Sequence, residues 1–513
     1  MKHGKTFIYQ INTWVWLNNL EKRFGQPITL HTVPEEVMGE LSRLNVGYIW
    51  LMGIWQRSPA ARASALNYVH EYRPVLPDMT EDDIIGSAYA VGNYEVDHRL
   101  GGRAGLAALR QRLNERGIQL ILDFVPNHVA TDHPWVTQHP EYMLRGSRET
   151  LLKHPGLFFE THTPDGRPLV VGHGRDPYFP SWIDTAQLNA CSPDYRRAAR
   201  ETLLDIASQC DGVRCDMAML MLNEVFARTW GTFLAGTVPQ TEYWEEVIPA
   251  VKQQYPDFLF MAEVYWGMEQ ILIDQGFDFT YDKVFYDRAL EGRVPKMRDH
   301  LLAPLDFQER QIRFLENHDE PRIAASAGVD KSRPLAVLLC TTPGVVLLHD
   351  GQFVGRKVKL PVQIRRQPDE TLNPALATFY YRLLAETNAT VYRKGKWELL
   401  TMQAVYEGSD AHQNLLAYSW RSGDQLRLIV VNMTAHWSHG WINPGEWPTV
   451  SDGQWALYEV LSRSYHFYDG ERLMEDGLYV ELEAYQAVIF RFERFNNETF
   501  AGLTTAVTTA DEA

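Results

Sequence analysis

Over most of the chain, apolar residues come in short runs separated by longer stretches with amphipathic, helix-like spacing. Phe7 to Thr13 and Tyr48-Ile49-Trp50-Leu51-Met52 read as the first two strands, with a helix over Pro34 to Leu44 between them. A helix over Ala104 to Arg116 leads into a third strand, Leu120-Ile121-Leu122-Asp123-Phe124. The amphipathic run Ser192 to Gln209 precedes a fourth, Gly212-Val213-Arg214-Cys215-Asp216. Phe258 to Ala262, Phe277 to Tyr281, Ile312 to Leu315 and Val345 to Leu348 complete the set. Eight such strands separated by helices predict an α/β fold, a closed (β/α)8 TIM barrel. Their near-continuous apolar character suits strands buried on both faces.

The spacing is uneven. Asp123 to Asp216 is a far longer interval than Asp216 to Glu263, and the surplus is rich in His, Pro and Gly (Lys153-His154-Pro155-Gly156, Gly172-His173-Gly174). That predicts an insertion after strand 3, an excursion from the loop on the catalytic face. A second long connection, Gly53 to Gly102, leaves strand 2. After a helix over Pro374 to Thr387, short alternating runs take over: Leu415 to Trp420, Gln425 to Asn432, Trp455 to Leu461 and Gly477 to Glu493. These predict a C-terminal antiparallel β-sandwich. The expected division is a barrel over 1–129 and 182–392, an inserted domain over 130–181, a sandwich over 393–495 and a flexible tail over 496–513.

Composition narrows the function classes. The 513 residues exceed one ordinary domain. With 49 Lys and Arg against 65 Asp and Glu the net charge is −16, and no basic run offers a surface for nucleic acid. A neutral substrate suits this balance. No apolar run is long enough for a bilayer, and Met1-Lys2-His3-Gly4 runs straight into a strand-like segment, so no membrane association is expected and the cytoplasm is the expected location. Cys191, Cys210, Cys215 and Cys340 lack metal-binding spacing and read as buried reduced thiols. Aromatics at 12% fit a protein that stacks against sugar rings, and equally a packed core.

Chemistry collects at four strand ends. The third runs into Asp123-Phe124-Val125-Pro126-Asn127-His128, and the fourth ends Arg214-Cys215-Asp216. The fifth ends Ala262-Glu263-Val264-Tyr265-Trp266, and the seventh runs into Glu316-Asn317-His318-Asp319-Glu320-Pro321-Arg322. Strand alternation puts Arg214 and Asp216 on one face, where the cation would keep the carboxylate ionised, as a nucleophile requires. The alternative is a structural ion pair. Glu263 follows an apolar run, so its surroundings favour the protonated form, although a strand-end glutamate also serves as a structural partner. One ionised and one neutral carboxyl is the arrangement glycoside hydrolysis uses, and retention calls for a separation of about 5 to 5.5 Å.

These four stretches, in this order, resemble the conserved motifs of the α-amylase family of retaining glycoside hydrolases (glycoside hydrolase family 13): DFVPNH, GVRCD, MAE and ENHDEPR. The resemblance implies a barrel, a domain inserted after strand 3 and a C-terminal β domain. It assigns Asp216 as nucleophile, Glu263 as acid/base and Asp319 as transition-state stabiliser. It also gives Arg214, His128, His318, Tyr89 and Arg322 as substrate-binding residues, Tyr89 as the aromatic platform under the sugar; for Tyr89 the alternative is a core or loop position. The implied reaction is hydrolysis of α-glucosidic bonds in oligosaccharides or α-glucans. Transglycosylation, glucanotransfer and sugar isomerisation are alternatives within the family. Met219 and Leu220 stand where amylases commonly carry Lys-His. That removes a lysine of the reducing-end subsites and a histidine whose backbone commonly joins a calcium site. Asn127 resembles another calcium ligand; no cofactor is required, and calcium at Asn127 stands beside the alternative that Asn127 bonds loop backbone.

Two other classes compete. A non-catalytic carbohydrate-binding relative would typically have lost a carboxylate, and all three are present. A metal-dependent barrel hydrolase using His128, His318 and Asp319 would want paired histidines on the first strand, which ends Gln10-Ile11-Asn12. Trp55, Gln56, Arg57 and Trp266 are candidates either for shaping specificity or for packing at the rim.

Overall fold

The computed structural model describes residues 5–495 apart from 235, 444–446, 448–449 and 452, so the expected tail lies outside the described residues. The eight apolar runs form parallel strands β1 (Thr6–Asn12), β2 (Tyr48–Met52), β3 (Gln119–Phe124), β4 (Gly212–Cys215), β5 (Leu259–Ala262), β6 (Phe279–Tyr281), β7 (Gln311–Arg313) and β8 (Val345–His349). Each pairs with its neighbours in chain order, and β1 pairs with both β2 and β8, which closes the barrel. β2, β4, β5 and β8 are buried at every position, as strands sandwiched between barrel interior and helices should be. Gly212 opens β4 where a Cβ would lie 2.8 Å from Leu259 Cβ, so this crossing admits only glycine without a backbone shift.

β3 stops at Phe124. His128–Ala130 is a separate short strand paired antiparallel with Thr185–Gln187, so the motif that reads as one strand end is a strand, a turn and a second strand. Between these two paired segments lies a small sheet ordered Arg145–Gly146, Pro168–Gly172, Phe158–His162. The long connection after β2 holds an irregular antiparallel pair, Trp55–Arg57 with Val91–Val96.

The C-terminal region contains β9 (Lys396–Leu400), β10 (Met402–Gln403), β11 (Leu415–Ser422), β12 (Gln425–Asn432), β13 (Ser438–Ile442), β14 (Gln454–Glu459), β15 (Ser464–Asp469), β16 (Leu478–Leu482) and β17 (Ala487–Phe495). They form a six-stranded sheet, β9-β11-β12-β17-β14-β15, and a three-stranded sheet, β10-β13-β16. The run from Gly477 to Glu493 is two strands in different sheets, not one. Alternation breaks at Glu483–Gln486, where Tyr485 takes a left-handed φ of 55° and the chain crosses between layers.

Alternation along the central strands explains the layering. Leu415, Ala417, Leu428 and Val430 face the core shared with the three-stranded sheet, while Leu416, Tyr418, Trp420, Ile429 and Val431 join the barrel's core. Trp420 Nε1 donates to Thr341 O at 2.6 Å, and Tyr418 Oη lies 2.6 Å from Thr341 Oγ1. Behind this contact Glu386, on the helix Pro374–Thr387, accepts from Arg427 at 2.6 Å and Arg491 at 2.7 Å. All four cysteines are free, three of them buried. No helix among the described residues is long and apolar enough to cross a membrane.

Candidate active site

Arg214 is the centre of the barrel mouth. Its side chain is fully buried and faces three carboxylates: Nη1 donates to Asp216 Oδ1 at 2.7 Å and lies 3.6 Å from Asp123 Oδ1, and Nη2 pairs with Glu263 Oε2 at 2.7 Å. The ladder produces this. Arg214 stands opposite Asp123 on β3 and Met261 on β5, and Asp216 and Glu263 lie just past the ends of their strands. The guanidinium also sits 5.3 Å from the Trp50 ring, 5.1 Å from Tyr89 and 5.9 Å from Tyr281, a low-dielectric wall that strengthens each of these interactions.

The two carboxyls are held differently. Burial lifts the Asp216 carboxyl above the ordinary range, and Arg214 pulls it back. Glu263 is pushed up to about 7, first by burial and then by the negative charges of Asp216 and Asp319, with Arg214 opposing. Met217 N–H donates to Glu263 Oε2 at 2.7 Å and Tyr265 O–H donates to Oε1 at 2.8 Å, so both oxygens have a fixed orientation. Met217 takes a left-handed φ of 42°, and this turn directly after Asp216 aims its N–H at the glutamate. A carboxyl that titrates near neutrality can give up a proton and take it back, as a general acid/base must.

Asp319 comes from the loop after β7. Asn317 Oδ1 accepts from the backbone N–H groups of Asp319 and Glu320, both at 2.8 Å, and so fixes the turn. The Asp319 side chain is 46% accessible. Burial works to raise its carboxyl, but His318, Arg214 and Lys359 hold it well below the usual carboxylate range. His318 Nδ1 lies 2.6 Å from Gln10 Nε2, and its Nε2 faces Tyr89 Oη at 2.6 Å and Asp319 Oδ2 at 2.9 Å. Tyr89 thus lines the site, joined to His318 and Arg214. Burial pushes His128 down to about 4, so its ring is neutral at physiological pH, 4.9 Å from Trp182.

Two further expected residues bond within the protein. Arg322 Nη1 donates to Glu316 Oε1 at 2.6 Å and to Asp350 O at 2.7 Å, a buried pair that anchors the β7 loop, and Arg322 lines a cavity together with Asn317, His318 and Lys359. Asn127 Oδ1 accepts from Gln187 Nε2 at 2.9 Å, and the same nitrogen donates to Asn127 O at 2.9 Å and Leu188 O at 3.0 Å. Three carbonyl oxygens thus meet one amide N–H₂, and the Asn127 side-chain oxygen is bonded by Gln187. Among the described residues no three His, Cys, Asp or Glu side chains are grouped to hold a metal ion. Trp55 and Arg57 are packed inward, with Trp55 Nε1 donating to Asp123 O at 2.8 Å, whereas Trp266 is 39% exposed. Sequence reasoning did not single out Asp123, Gln10 or Tyr265. The period-two rule that paired Arg214 with Asp216 also places Tyr265 beside Glu263.

The chain matches the family model described as "Alpha amylase, catalytic domain" over residues 41–373. It is 26% identical to "Alpha-amylase MalA" of Haloarcula japonica, over 54% of this chain and 38% of that protein. It is 23% identical to a cyclomaltodextrinase of Geobacillus thermopakistaniensis, over 66% of this chain and 55% of that protein, so it spans about half or less of either relative. The crystal structure of an α-amylase from Lactobacillus plantarum superposes with a TM-score of 0.67 at 19% identity, covering 96% of this chain and 99% of that one. The family model covers well over half of the residues, and the chain belongs to the α-amylase catalytic-domain family.

Proposed function

We propose that the protein is a retaining α-glycoside hydrolase acting on α-glucosidic bonds of oligosaccharides or α-glucans. In this reading Asp216 attacks the anomeric carbon while Glu263 gives its proton to the leaving oxygen. The resulting glycosyl ester on Asp216 is then opened by water that Glu263 deprotonates. Arg214 orients Asp216 and limits the rise of its carboxyl, Asp319 accepts from sugar hydroxyls as the ring flattens, and His128 and His318 donate to hydroxyls. The observation that carries the reading is the pair of 2.7 Å contacts from one buried guanidinium to both carboxyls, with the glutamate poised at about 7. The names of the amylase and cyclomaltodextrinase relatives support the substrate class.

The test is Asp216→Asn assayed on maltooligosaccharides and an aryl α-glucoside, with the anomer first released by the native enzyme followed by NMR. The expected outcome is a loss of at least about 10³-fold in kcat for the variant, and an α-anomer as first product. Full activity in the variant, or an initial β-anomer, would refute the covalent route.

A further inference from the structure

Trp266 follows Glu263 by three residues, is 39% exposed and takes a left-handed φ of 66°. That backbone conformation strains a bulky residue and persists only where the surroundings hold it. Its ring meets the ring of Tyr178, from the segment inserted after β3, at 5.0 Å and 75°. Tyr178 is 61% exposed, and its turn is fixed by the buried Asp176. Asp176 Oδ1 accepts from the backbone N–H groups of Tyr178 at 2.6 Å and Phe179 at 3.0 Å. A third element, the helix Asn223–Trp230 that follows β4, brings Arg228 to the same point. Its guanidinium carbon lies 5.7 Å from the Tyr178 ring centre and 6.0 Å from that of Trp266.

The charge at this point is unanswered. Arg228 is exposed, and among the described residues no carboxylate pairs with it and no acceptor meets its guanidinium. A chain with 65 Asp and Glu against 49 Lys and Arg has acids to spare, yet it places none here. The two rings hold the guanidinium and leave its N–H donors unused, an arrangement that suits bidentate capture of a carboxylate or a phosphate. Position adds the chemistry. Glu263 protonates the leaving oxygen in the proposed reaction, so the departing part of the substrate lies on the glutamate's side of the barrel mouth. Trp266 continues the chain from that glutamate, and Tyr178 and Arg228 meet it there.

We propose that Arg228, backed by Tyr178 and Trp266, binds an oxyanion on the leaving group, so that the enzyme selects α-glucosides whose departing part carries a carboxylate or a phosphate. The assignment of this side of the mouth to the leaving group rests on the proposed function. A single cation between two rings matches one charged group on a small sugar-like alcohol, with the rings covering its apolar faces. It does not match a polyanion, in keeping with the net charge of −16.

The experiment compares kcat/KM on matched substrates at fixed ionic strength. Maltose is set against maltobionate, whose leaving group carries a carboxylate, and trehalose against trehalose 6-phosphate, which carries a phosphate. Native enzyme, Arg228→Ala and Arg228→Lys are run side by side, with thermal melts to confirm folding. The native enzyme should favour at least one charged substrate over its neutral partner by about tenfold, the scale of one charge-assisted contact. Which pair shows the preference tells carboxylate from phosphate. Arg228→Ala should bring that ratio to about one, Arg228→Lys to an intermediate value, and added salt should lower it in the native enzyme. No preference in either pair, an unchanged ratio in folded Arg228→Ala, or equal losses on both members of a pair would overturn the proposal. Faster cleavage of a neutral aryl α-glucoside by Arg228→Ala would also overturn it, by assigning the rings to an apolar leaving group. Calorimetric titration of Asp216→Asn with maltobionate and trehalose 6-phosphate separates this site from the proposed function. If one of them binds, about tenfold more weakly once Arg228→Ala is added, while the native enzyme cleaves no α-glucoside, the proposed function fails and the oxyanion site stands. If neutral and charged substrates are cleaved alike, the reverse holds.

Discussion

Glu263 sets the pH behaviour of the site. With its carboxyl at about 7 and the protonated form required, kcat/KM should fall as pH rises through about 7, and a pH profile checks this directly. Tyr265→Phe removes a donor to the charged carboxylate, so the Glu263 carboxyl should rise further and the alkaline limb should move to higher pH. A limb that stays in place or moves down would contradict that role for Tyr265. Gln187 is the second residue with a measurable role. Gln187→Ala leaves three carbonyl oxygens facing a void and should cost about 1 to 3 kcal/mol, read by denaturant unfolding. In the native protein a chelator should leave Tm unchanged. Residue chemistry was legible in the sequence wherever it followed alternation along a strand, as for Arg214 and Asp216. It was not legible for Gln10 and Gln187, whose partners His318 and Asn127 are remote in sequence. Nor did the motif show that Arg322 pairs with Glu316, six residues earlier.

At the scale of elements, the barrel strands were readable because burial on both faces leaves unbroken apolar runs. The edge strands β9, β10 and β15 were missed: they are short and half-exposed, with little apolar signal. β3 ends at Phe124 as expected, and Pro126, which has no N–H to give a ladder, separates it from the short strand His128–Ala130. The helix Pro374–Thr387 shows how one element ties two domains. Glu386 is buried on it and answers Arg427 and Arg491 across the gap. Glu386→Ala would strand the Arg427 guanidinium away from water, and the expected loss is about 3 to 5 kcal/mol of unfolding free energy. A loss below 1 kcal/mol would show that the arginines find other partners.

Over the whole molecule, alternating residues of the six-stranded sheet serve two cores, one face lying against the barrel and the other against the three-stranded sheet. Sequence pattern identified β11 and β12 as strands, but it does not say which of their two faces meets which neighbour. The shared sheet has a calorimetric consequence. Neither core can melt without stripping one side of β11 and β12, so heating should produce one endotherm with van't Hoff and measured enthalpies in agreement, and the amides of Leu428 to Val431 should exchange as slowly as those of β4. Two separated peaks would mean that the sheet is less a party wall than a loosely hung partition.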